Sequence, residues 1–302
     1  MTTRMIGPEA EARLDWIALT DALAAGHALP RATVADTFLY RGDDTLLTRS
    51  AWIDGLGLAV KAASVFPGNP AGGEEMVNGV VNLLDDRTGR LEAIVDFHLV
   101  TRWKTAGDSL LSARRLARKD ARRVLIVGAG KVAASMIDAY RALFPDAQVS
   151  IWNRSPQAAR DLAARTGATA TEDLERAVRE AEVIATTTMA RDSIIRGAWL
   201  QPGTHLDLIG AYRPDMREVD DEAISRAALF VDSRQTTIGH IGEIQIPLDN
   251  GTICESDIRA DFYDLPLGAY ARPDDDAITI AKNGGGAHLD LMTARHILQV
   301  AG

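Results

Sequence analysis

Apolar and polar residues follow one pattern between residues 34 and 100 and a different pattern from Val124 onward. Between residues 34 and 100, short apolar runs such as Val77–Leu84 are separated by turn-forming clusters such as Pro67-Gly68-Asn69-Pro70. Short strands bounded by Gly, Pro, Asn and Asp predict an antiparallel sheet. Apolar residues at helical spacing predict helices on either side of this sheet, over 9–25 and 103–117.

From Val124 onward the pattern predicts alternating strands and helices, which is typical of a parallel α/β sheet. Further strands are predicted over 148–152, 183–188, 204–209, 228–232 and 277–280, and helices over 131–144, 156–165, 172–180 and 288–300. The predicted fold class is α/β, with a Rossmann-type parallel-sheet nucleotide domain and a second, α+β domain with an antiparallel sheet. The nucleotide domain is expected to span 119–286, and the second domain 1–118 with 287–302.

Composition and charge narrow the class of protein. The chain has 302 residues, 46% hydrophobic and 25% charged, which is typical of a soluble globular protein with two domains. The net charge of -9 argues against a nucleic-acid partner. The N-terminus lacks a signal-peptide pattern, and the absence of a long apolar run predicts no membrane span, so a cytoplasmic location is expected. The single cysteine, Cys254, and the scattered histidines predict no metal site.

A glycine-rich turn follows the apolar strand that begins at Val124. The segment Gly128-Ala129-Gly130-Lys131-Val132-Ala133 has the spacing of a dinucleotide-binding turn. Its first glycine permits the tight turn, its second lets the backbone approach a pyrophosphate, and Ala133 permits close packing of helix on strand. The N-terminus of the next helix then offers N–H groups to phosphate. Gly128, Gly130, Lys131 and Val132 are therefore predicted to bind the cofactor.

The end of the next strand indicates which dinucleotide is bound. NAD sites usually place a carboxylate there for the ribose 2′-hydroxyl, whereas this chain reads Asn153-Arg154-Ser155. Arg154 can pair with a 2′-phosphate in a bidentate manner, and Ser155 can add a hydroxyl donor. These residues favour NADP(H) as the cofactor, with NAD(H) possible.

Motifs along nearly the whole chain resemble those of the ornithine cyclodeaminase/μ-crystallin family. They comprise Val60-Lys61, the segments 65–70, 86–89 and 101–106, the GAGKVA and WNRS motifs, Thr187-Thr188-Met189, and the segments 210–222 and 284–290. The resemblance implies a homodimer formed through the N-terminal sheet domain, which also binds substrate, and a final helix that rejoins that domain. It implies a substrate pocket between the domains, facing a nicotinamide, with Thr188, Met189 and Gly210 on the cofactor side.

The resemblance also implies that Lys61 contacts the substrate carboxylate and the reacting centre. Independently, a lysine that ends an apolar run is costly to bury unless it meets an anion. Cyclodeaminases have an arginine where this chain has Lys104, so a planar fork is replaced by a point charge. Their N-terminal carboxylate-clamping arginine has three possible counterparts, Arg31, Arg41 and Arg49; Arg49 is included among the predicted substrate-binding residues.

Tyr212 is the most informative departure from the cyclodeaminases, which use an aspartate there as acid and base. A tyrosine can donate a hydrogen bond but is a poor substitute for a carboxylate base. Two roles are open for His288, which follows three glycines: a hydrogen bond to the substrate, or a structural position at the start of the last helix. Reduction of a preformed cyclic imine needs hydride delivery without that acid–base step.

The predicted function is therefore NAD(P)H-dependent reduction of small cyclic imino acids, such as Δ1-pyrroline-2-carboxylate, to products such as L-proline. Lys61, Tyr212 and His288 are the predicted catalytic residues. The alternatives are an ornithine cyclodeaminase, an amino-acid or N-alkyl amino-acid dehydrogenase, and a non-catalytic NADP-dependent ligand-binding protein. The expected partners are a small imino- or amino-acid substrate and a second copy of the chain.

Overall fold

The computed structural model describes residues 2–301 and divides into two compact units. One unit contains the residues up to Lys104 together with those from Gly286 onward, and the other spans Thr105–Gly285. The helices are α1 (Trp16–His27), α2 (Phe97–Leu116), α3 (Lys131–Leu143), α4 (Pro156–Thr166), α5 (Leu174–Glu180), α6 (Asp221–Arg226), α7 (Arg234–Thr237), α8 (Gly242–Asp249) and α9 (Ala287–Ala301). The division falls within α2, whereas the sequence placed it after that helix, at 118/119.

Strands and short 3-10 helices complete the secondary structure. The strands are β1 (Arg4–Ile6), β2 (Thr33–Arg41), β3 (Asp44–Ile53), β4 (Gly57–Val65), β5 (Val77–Leu84), β6 (Leu91–Asp96), β7 (Arg123–Val127), β8 (Gln148–Trp152), β9 (Thr169–Ala170), β10 (Val183–Thr186), β11 (His205–Leu208), β12 (Ala228–Val231), β13 (Ile258–Ala260) and β14 (Thr279–Lys282). The 3-10 helices are Pro8–Arg13, Asn69–Gly72, Gly197–Trp199, Glu255–Asp257 and Phe262–Leu267.

The first unit is built on a six-stranded sheet in the order β1-β6-β5-β4-β3-β2. The pairs from β2 to β6 are all antiparallel, whereas β1 pairs with the other edge of β6 in parallel. Helix α9 packs across β3 and β4 and against α1. Every second residue of β4 is buried beneath it, so Lys61 lies in the same buried row as Ala59 and Ala63.

Three local predictions for this unit are corrected. The single helix predicted over 9–25 is a 3-10 helix followed by α1, because Asp15 caps α1 by accepting a hydrogen bond from the Ala18 N–H at 2.8 Å. Helix α2 begins six residues earlier than predicted, and Asp96 accepts from the Leu99 N–H at 2.7 Å in its first turn. Strand β3 was not predicted, because its many polar residues obscure the alternation.

The second unit contains an eight-stranded, entirely parallel sheet in the order β13-β12-β14-β11-β10-β7-β8-β9. Every residue of the strands β10, β11 and β12 is buried, which explains why these strands are largely apolar, although β11 also buries His205 and Asp207. The strand order reverses between β7 and β10, and in such sheets a ligand binds beyond the carboxyl ends of the strands at this point. The predicted fold class, a Rossmann-type parallel sheet with a second, largely antiparallel α+β unit, is confirmed.

Candidate functional site

The glycine-rich turn has the backbone geometry that a dinucleotide site needs. Gly128 directly follows β7 and has a φ of +126°, a conformation that favours glycine. A Cβ there would lie 2.2 Å from the Thr187 Oγ1, so a side chain would collide with the segment after β10. At Gly130 a Cβ would meet no protein atom within 4 Å, so the space above this residue is open. The turn therefore fits a pyrophosphate.

Helix α3 begins directly after Gly130, and no side chain caps its first turn. Its early N–H groups and the positive end of its dipole suit an anion. Lys131 and Val132 are exposed at this end, whereas Ala133 is fully buried, as the packing of helix on strand requires. Lys131 and Val132 thus lie exposed directly after Gly130, and their contact with a cofactor stays a prediction.

The segment after β8 carries exposed groups that can bind a phosphate. Arg154 is exposed and makes no hydrogen bond or ion pair with any of residues 2–301. Ser155 is the N-cap residue of α4, yet its hydroxyl does not cap that helix. Asn153 uses its amide to donate to the Ser155 carbonyl at 3.1 Å, which shapes the turn. A guanidinium and a hydroxyl are therefore available side by side.

One buried carboxylate organises the segments after β10 and β11. We call residues 187–190 the β10 loop and residues 209–212 the β11 loop. Glu218 is fully buried, and its Oε1 accepts from the N–H and hydroxyl of Thr188 at 2.9 and 2.7 Å. Its Oε2 accepts from the Thr186 hydroxyl at 2.6 Å and from the N–H groups of Gly210 and Ala211 at 2.9 and 3.3 Å. Sequence reasoning missed this role, although an acid beside the apolar Val219 was a signal.

The predicted cofactor residues of these loops divide into two kinds. Thr188 and Gly210 are held by Glu218, and a Cβ on Gly210 would lie 2.1 Å from the Thr188 carbonyl oxygen. Glycine is required at 210 because the two loops touch. Met189 and Tyr212, in contrast, are 77% and 59% exposed. Their side chains are therefore the parts of the loops that are free to meet a ligand.

Two further buried charges lie behind Glu218. Both oxygens of Glu243 accept backbone N–H groups, from Glu218 at 2.7 Å and from Val219 at 3.1 Å. Burial and the charge of Glu218 raise the Glu243 pKa to about 7. Lys282 donates to the carbonyl oxygens of Leu208 and Ala211 at 2.8 and 2.7 Å, and burial lowers its pKa. The three groups tie the β11 loop to the sheet.

In the first unit, Lys61 lies at the centre of a group of charged side chains that also contains Asp290, Arg49 and Lys104, which we call the Lys61 cluster. Its Nζ donates to Asp290 Oδ1 at 3.0 Å and to Thr101 Oγ1 at 3.1 Å, and lies 4.8 Å from the centre of the Phe97 ring. The ammonium group has three N–H donors, and these are its two hydrogen-bond acceptors among residues 2–301. One donor therefore remains for a ligand.

Asp290 was not assigned a role from sequence. It lies in the first turn of α9, is 1% exposed, and its Oδ2 has no hydrogen-bond partner among residues 2–301. An aspartate between the buried Leu289 and Leu291 was the available signal, because an acid is seldom fully buried unless it is paired. The structure gives the pair: the buried carboxylate compensates the charge of Lys61.

Other predicted residues surround Lys61. Arg49 is its direct cross-strand neighbour on β3, and its guanidinium is bound to Asp36 at 2.7 Å. Burial lowers the Lys61 pKa, Asp290 opposes this, and the positive charges of Lys104 and Arg49 add to the lowering. The structure therefore brings Lys61, Arg49 and Lys104 into one electrostatic cluster.

His288 lies at the start of α9 and is 2% exposed. Its ring packs edge-on against His27, with the ring centres 5.4 Å apart. Burial holds the His288 pKa well below its ordinary value, and the nearby charges of His27, Lys104, Arg49 and Arg31 act in the same direction. His288 is therefore neutral near pH 7 and can only donate or accept a hydrogen bond there.

The remaining clamp candidates are placed differently. Arg41 lies at the exposed end of β2, pairs with Asp44 at 2.8 Å, and has a side chain that is 80% exposed. Arg31 is close enough for its charge to act on His288. In the segment 101–106, Arg102 is paired with Glu11 at 2.7 Å, so Lys104 is the cation of this motif that acts on Lys61. Arg49 and Lys104 are thus the candidates that reach the cluster.

Two kinds of feature are absent from the described part of the chain, residues 2–301. No helix there combines the length and apolar character needed to cross a bilayer. No group of three or more His, Cys, Asp or Glu side chains there is arranged to hold a metal ion.

Comparison with known proteins places the chain in a family. A Δ1-pyrroline-2-carboxylate reductase from Paracoccus denitrificans is 50% identical over 299 residues, which is 97% of this chain and 95% of the relative. A structure of the Thermococcus litoralis Δ1-pyrroline-2-carboxylate reductase with NADH and L-proline matches with a TM-score of 0.88 and 24% identity, over 99% and 97% of the two chains. At that identity the match shows the fold alone.

An archaeal alanine dehydrogenase dimer with bound NAD also matches, with a TM-score of 0.88 and 26% identity over 100% of this chain and 96% of that one. The model of the ornithine cyclodeaminase/mu-crystallin family matches residues 51–301. The resemblance inferred from the motifs is thereby confirmed, and the chain belongs to the ornithine cyclodeaminase/mu-crystallin family.

Proposed function

We propose that this protein is a nicotinamide-dependent reductase of small cyclic imino acids, acting on Δ1-pyrroline-2-carboxylate or a similar ketimine to give L-proline or a similar product. The observation that carries the proposal is the buried Lys61, which is held by Asp290 and Thr101 and keeps one N–H donor for an anion. The Paracoccus relative, 50% identical, is a Δ1-pyrroline-2-carboxylate reductase.

The substrate carboxylate is bound by the cations of the Lys61 cluster. Lys61 supplies its unused N–H, and Lys104 supplies a charge that no acidic partner among residues 2–301 neutralises. Arg49 is already bound to Asp36, so its role is secondary: its charge adds to the field that attracts the carboxylate. Because the site is largely desolvated, these interactions are stronger than in water.

The reduction needs a hydride and a bound, oriented imine. A bound reduced nicotinamide supplies the hydride. The chain holds the carboxylate at Lys61, and Tyr212 or His288 is proposed to hydrogen-bond near the ring nitrogen. Since His288 is neutral near pH 7, it orients the imine and does not protonate it. The imine enters already protonated, so no strong side-chain acid is needed.

For the cofactor, we propose NADP(H) in preference to NAD(H). The support is the unpaired, exposed Arg154 beside the free hydroxyl of Ser155 after β8. An anionic 2′-phosphate fits these donors, whereas an NAD site would place a carboxylate there. Gly128, Gly130 and the first turn of α3 would hold the pyrophosphate.

For the domains, we propose a substrate-binding and dimerisation domain (1–118 with 287–302) and a dinucleotide domain (119–286).

We also propose a homodimer formed through the first unit. Strand β2 lies at the edge of its sheet and is exposed almost throughout. Large apolar side chains are exposed there and on β3, namely Phe38, Leu39, Tyr40, Leu46 and Trp52. Such an edge and patch favour burial against a second copy. The cytoplasmic location stays a prediction.

The test is a substrate panel with the purified protein. NADPH and NADH oxidation is followed with Δ1-pyrroline-2-carboxylate, with its six-membered homologue and with linear imino acids. We expect turnover with the cyclic imines and a lower KM for NADPH than for NADH. Release of ammonia from ornithine would instead support a cyclodeaminase. Cofactor binding without turnover of any substrate would support a binding protein.

A further inference from the structure

Glu218 is a fully buried carboxylate of the second unit that accepts five hydrogen bonds, and the chemistry proposed above does not use it directly. Five donors from three segments converge on it: the end of β10, the β10 loop and the β11 loop. Hydrogen bonds to a charged acceptor are about twice as strong as neutral ones. One side chain thus joins the two loops where their backbones touch.

The location of these loops connects Glu218 with the cofactor. The adenosine half of a dinucleotide is expected at β7 and β8, where Gly128 and Arg154 lie. The nicotinamide half then lies across the reversal of strand order, beyond β10 and β11. The exposed side chains there, Met189 and Tyr212, belong to the two loops that Glu218 joins.

We propose that Glu218 is the positioning residue for the nicotinamide half of the cofactor: it holds the β10 and β11 loops in their binding conformation without contacting the cofactor. The inference rests on the proposed use of a nicotinamide dinucleotide. It predicts that loss of the carboxylate weakens binding of the whole cofactor while the adenosine half binds as before. A residue needed only for overall folding would affect both.

The test variant is Glu218→Gln. Its amide has one oxygen and one amino group, so in either orientation one or two of the three backbone N–H donors face the amino group, whereas the two threonine hydroxyls can turn to accept from it. Binding of NADPH and of adenosine 2′,5′-bisphosphate is measured by calorimetry. We expect about 10- to 100-fold weaker NADPH binding, the range for a lost hydrogen bond to a charged group. Binding of the bisphosphate is expected to stay within about twofold, because the donors for its phosphates lie elsewhere.

Two further variants complete the test. Thr186→Val removes one buried hydroxyl from Glu218 with little change of shape, and is expected to weaken NADPH binding in the same sense but less, even if Glu218→Gln does not fold. Glu222→Gln alters a half-exposed glutamate four residues away and should change neither affinity. Equal weakening of both ligands, or unchanged NADPH binding in Glu218→Gln and Thr186→Val, overturns the inference alone. A wild-type protein that binds neither NADPH nor NADH overturns the proposed function, and the inference with it; binding of NADH alone overturns only the preference for NADP(H), and the comparison is then made with NADH and adenosine 5′-monophosphate.

Discussion

Replacement of Asp290 by asparagine tests whether the Lys61 cluster depends on its buried counter-charge. The Lys61 Nζ and Asp290 Oδ1 atoms are 3.0 Å apart, and the two side chains are 10% and 1% exposed. At an effective dielectric constant of about 20, this separation corresponds to an attraction of about 5 kcal/mol. Removal of one partner of a buried pair typically costs about 3–5 kcal/mol, because the other charge remains buried. We expect D290N to lower the free energy of unfolding by about 3–5 kcal/mol.

The same variant is expected to change the pH dependence of catalysis. Asp290 opposes the lowering of the Lys61 pKa by burial, so its removal allows the ammonium to lose its proton at lower pH. Substrate binding needs the charged form. The alkaline limb of kcat/KM for Δ1-pyrroline-2-carboxylate should therefore move to lower pH, with a raised KM for the imine and an unchanged KM for NADPH.

Urea unfolding and a pH–rate profile measure these effects, with D54N, at an exposed aspartate of the same unit, as the control. The double variant K61M/D290N removes both charges and should be inactive, yet more stable than D290N, since no buried charge is left unpaired. An unchanged unfolding midpoint and pH profile for D290N would refute the reasoning. So would a double variant whose losses of stability simply add.

Three other predictions concern Arg154, the glycine-rich turn and stability at acid pH. Arg154→Ala should raise the KM for NADPH by about 10- to 100-fold and leave that for NADH nearly unchanged, because the lost hydrogen bonds are charge-assisted; an equal rise for both cofactors would contradict a phosphate-binding role. Gly130→Ala should weaken NADPH binding without changing the melting temperature, because its Cβ enters open space. Gly128→Ala should lower both the NADPH affinity and the melting temperature, because its Cβ would lie 2.2 Å from the Thr187 Oγ1 and its φ is +126°. Equal melting temperatures of the two variants would contradict this prediction. Burial lowers the His27 pKa from 6.5 to about 4, so the unfolded chain takes up a proton before the folded protein does as the pH falls. The protonation of His27 should therefore lower the free energy of unfolding by about 3 kcal/mol between pH 6.5 and 4, so a His27→Gln variant should lose about that much less than the wild type over this range; an equal loss in both would contradict this.

Local patterns were sufficient for the fold class. A dinucleotide unit is predicted by the apolar run of β7, the glycines after it and the residues that follow β8. This prediction needs no tertiary contact, because these features lie within one short segment of the sequence. The strand-rich region before residue 100 was predicted for the same reason, although β3 was missed. Its Arg49 breaks the apolar alternation, and its place opposite Lys61 follows only from strand pairing.

The sequence by itself determined the parallel and antiparallel halves, the glycine turn, the arginine after β8 and the unusual lysine of β4, because these are properties of spacing and residue type. Only the tertiary structure decided which charges compensate one another. Asp290 is 229 residues from Lys61 along the chain, and Glu218 joins loops that follow two different strands. A buried charge must find its partners wherever the chain brings them, and no local pattern encodes that partner.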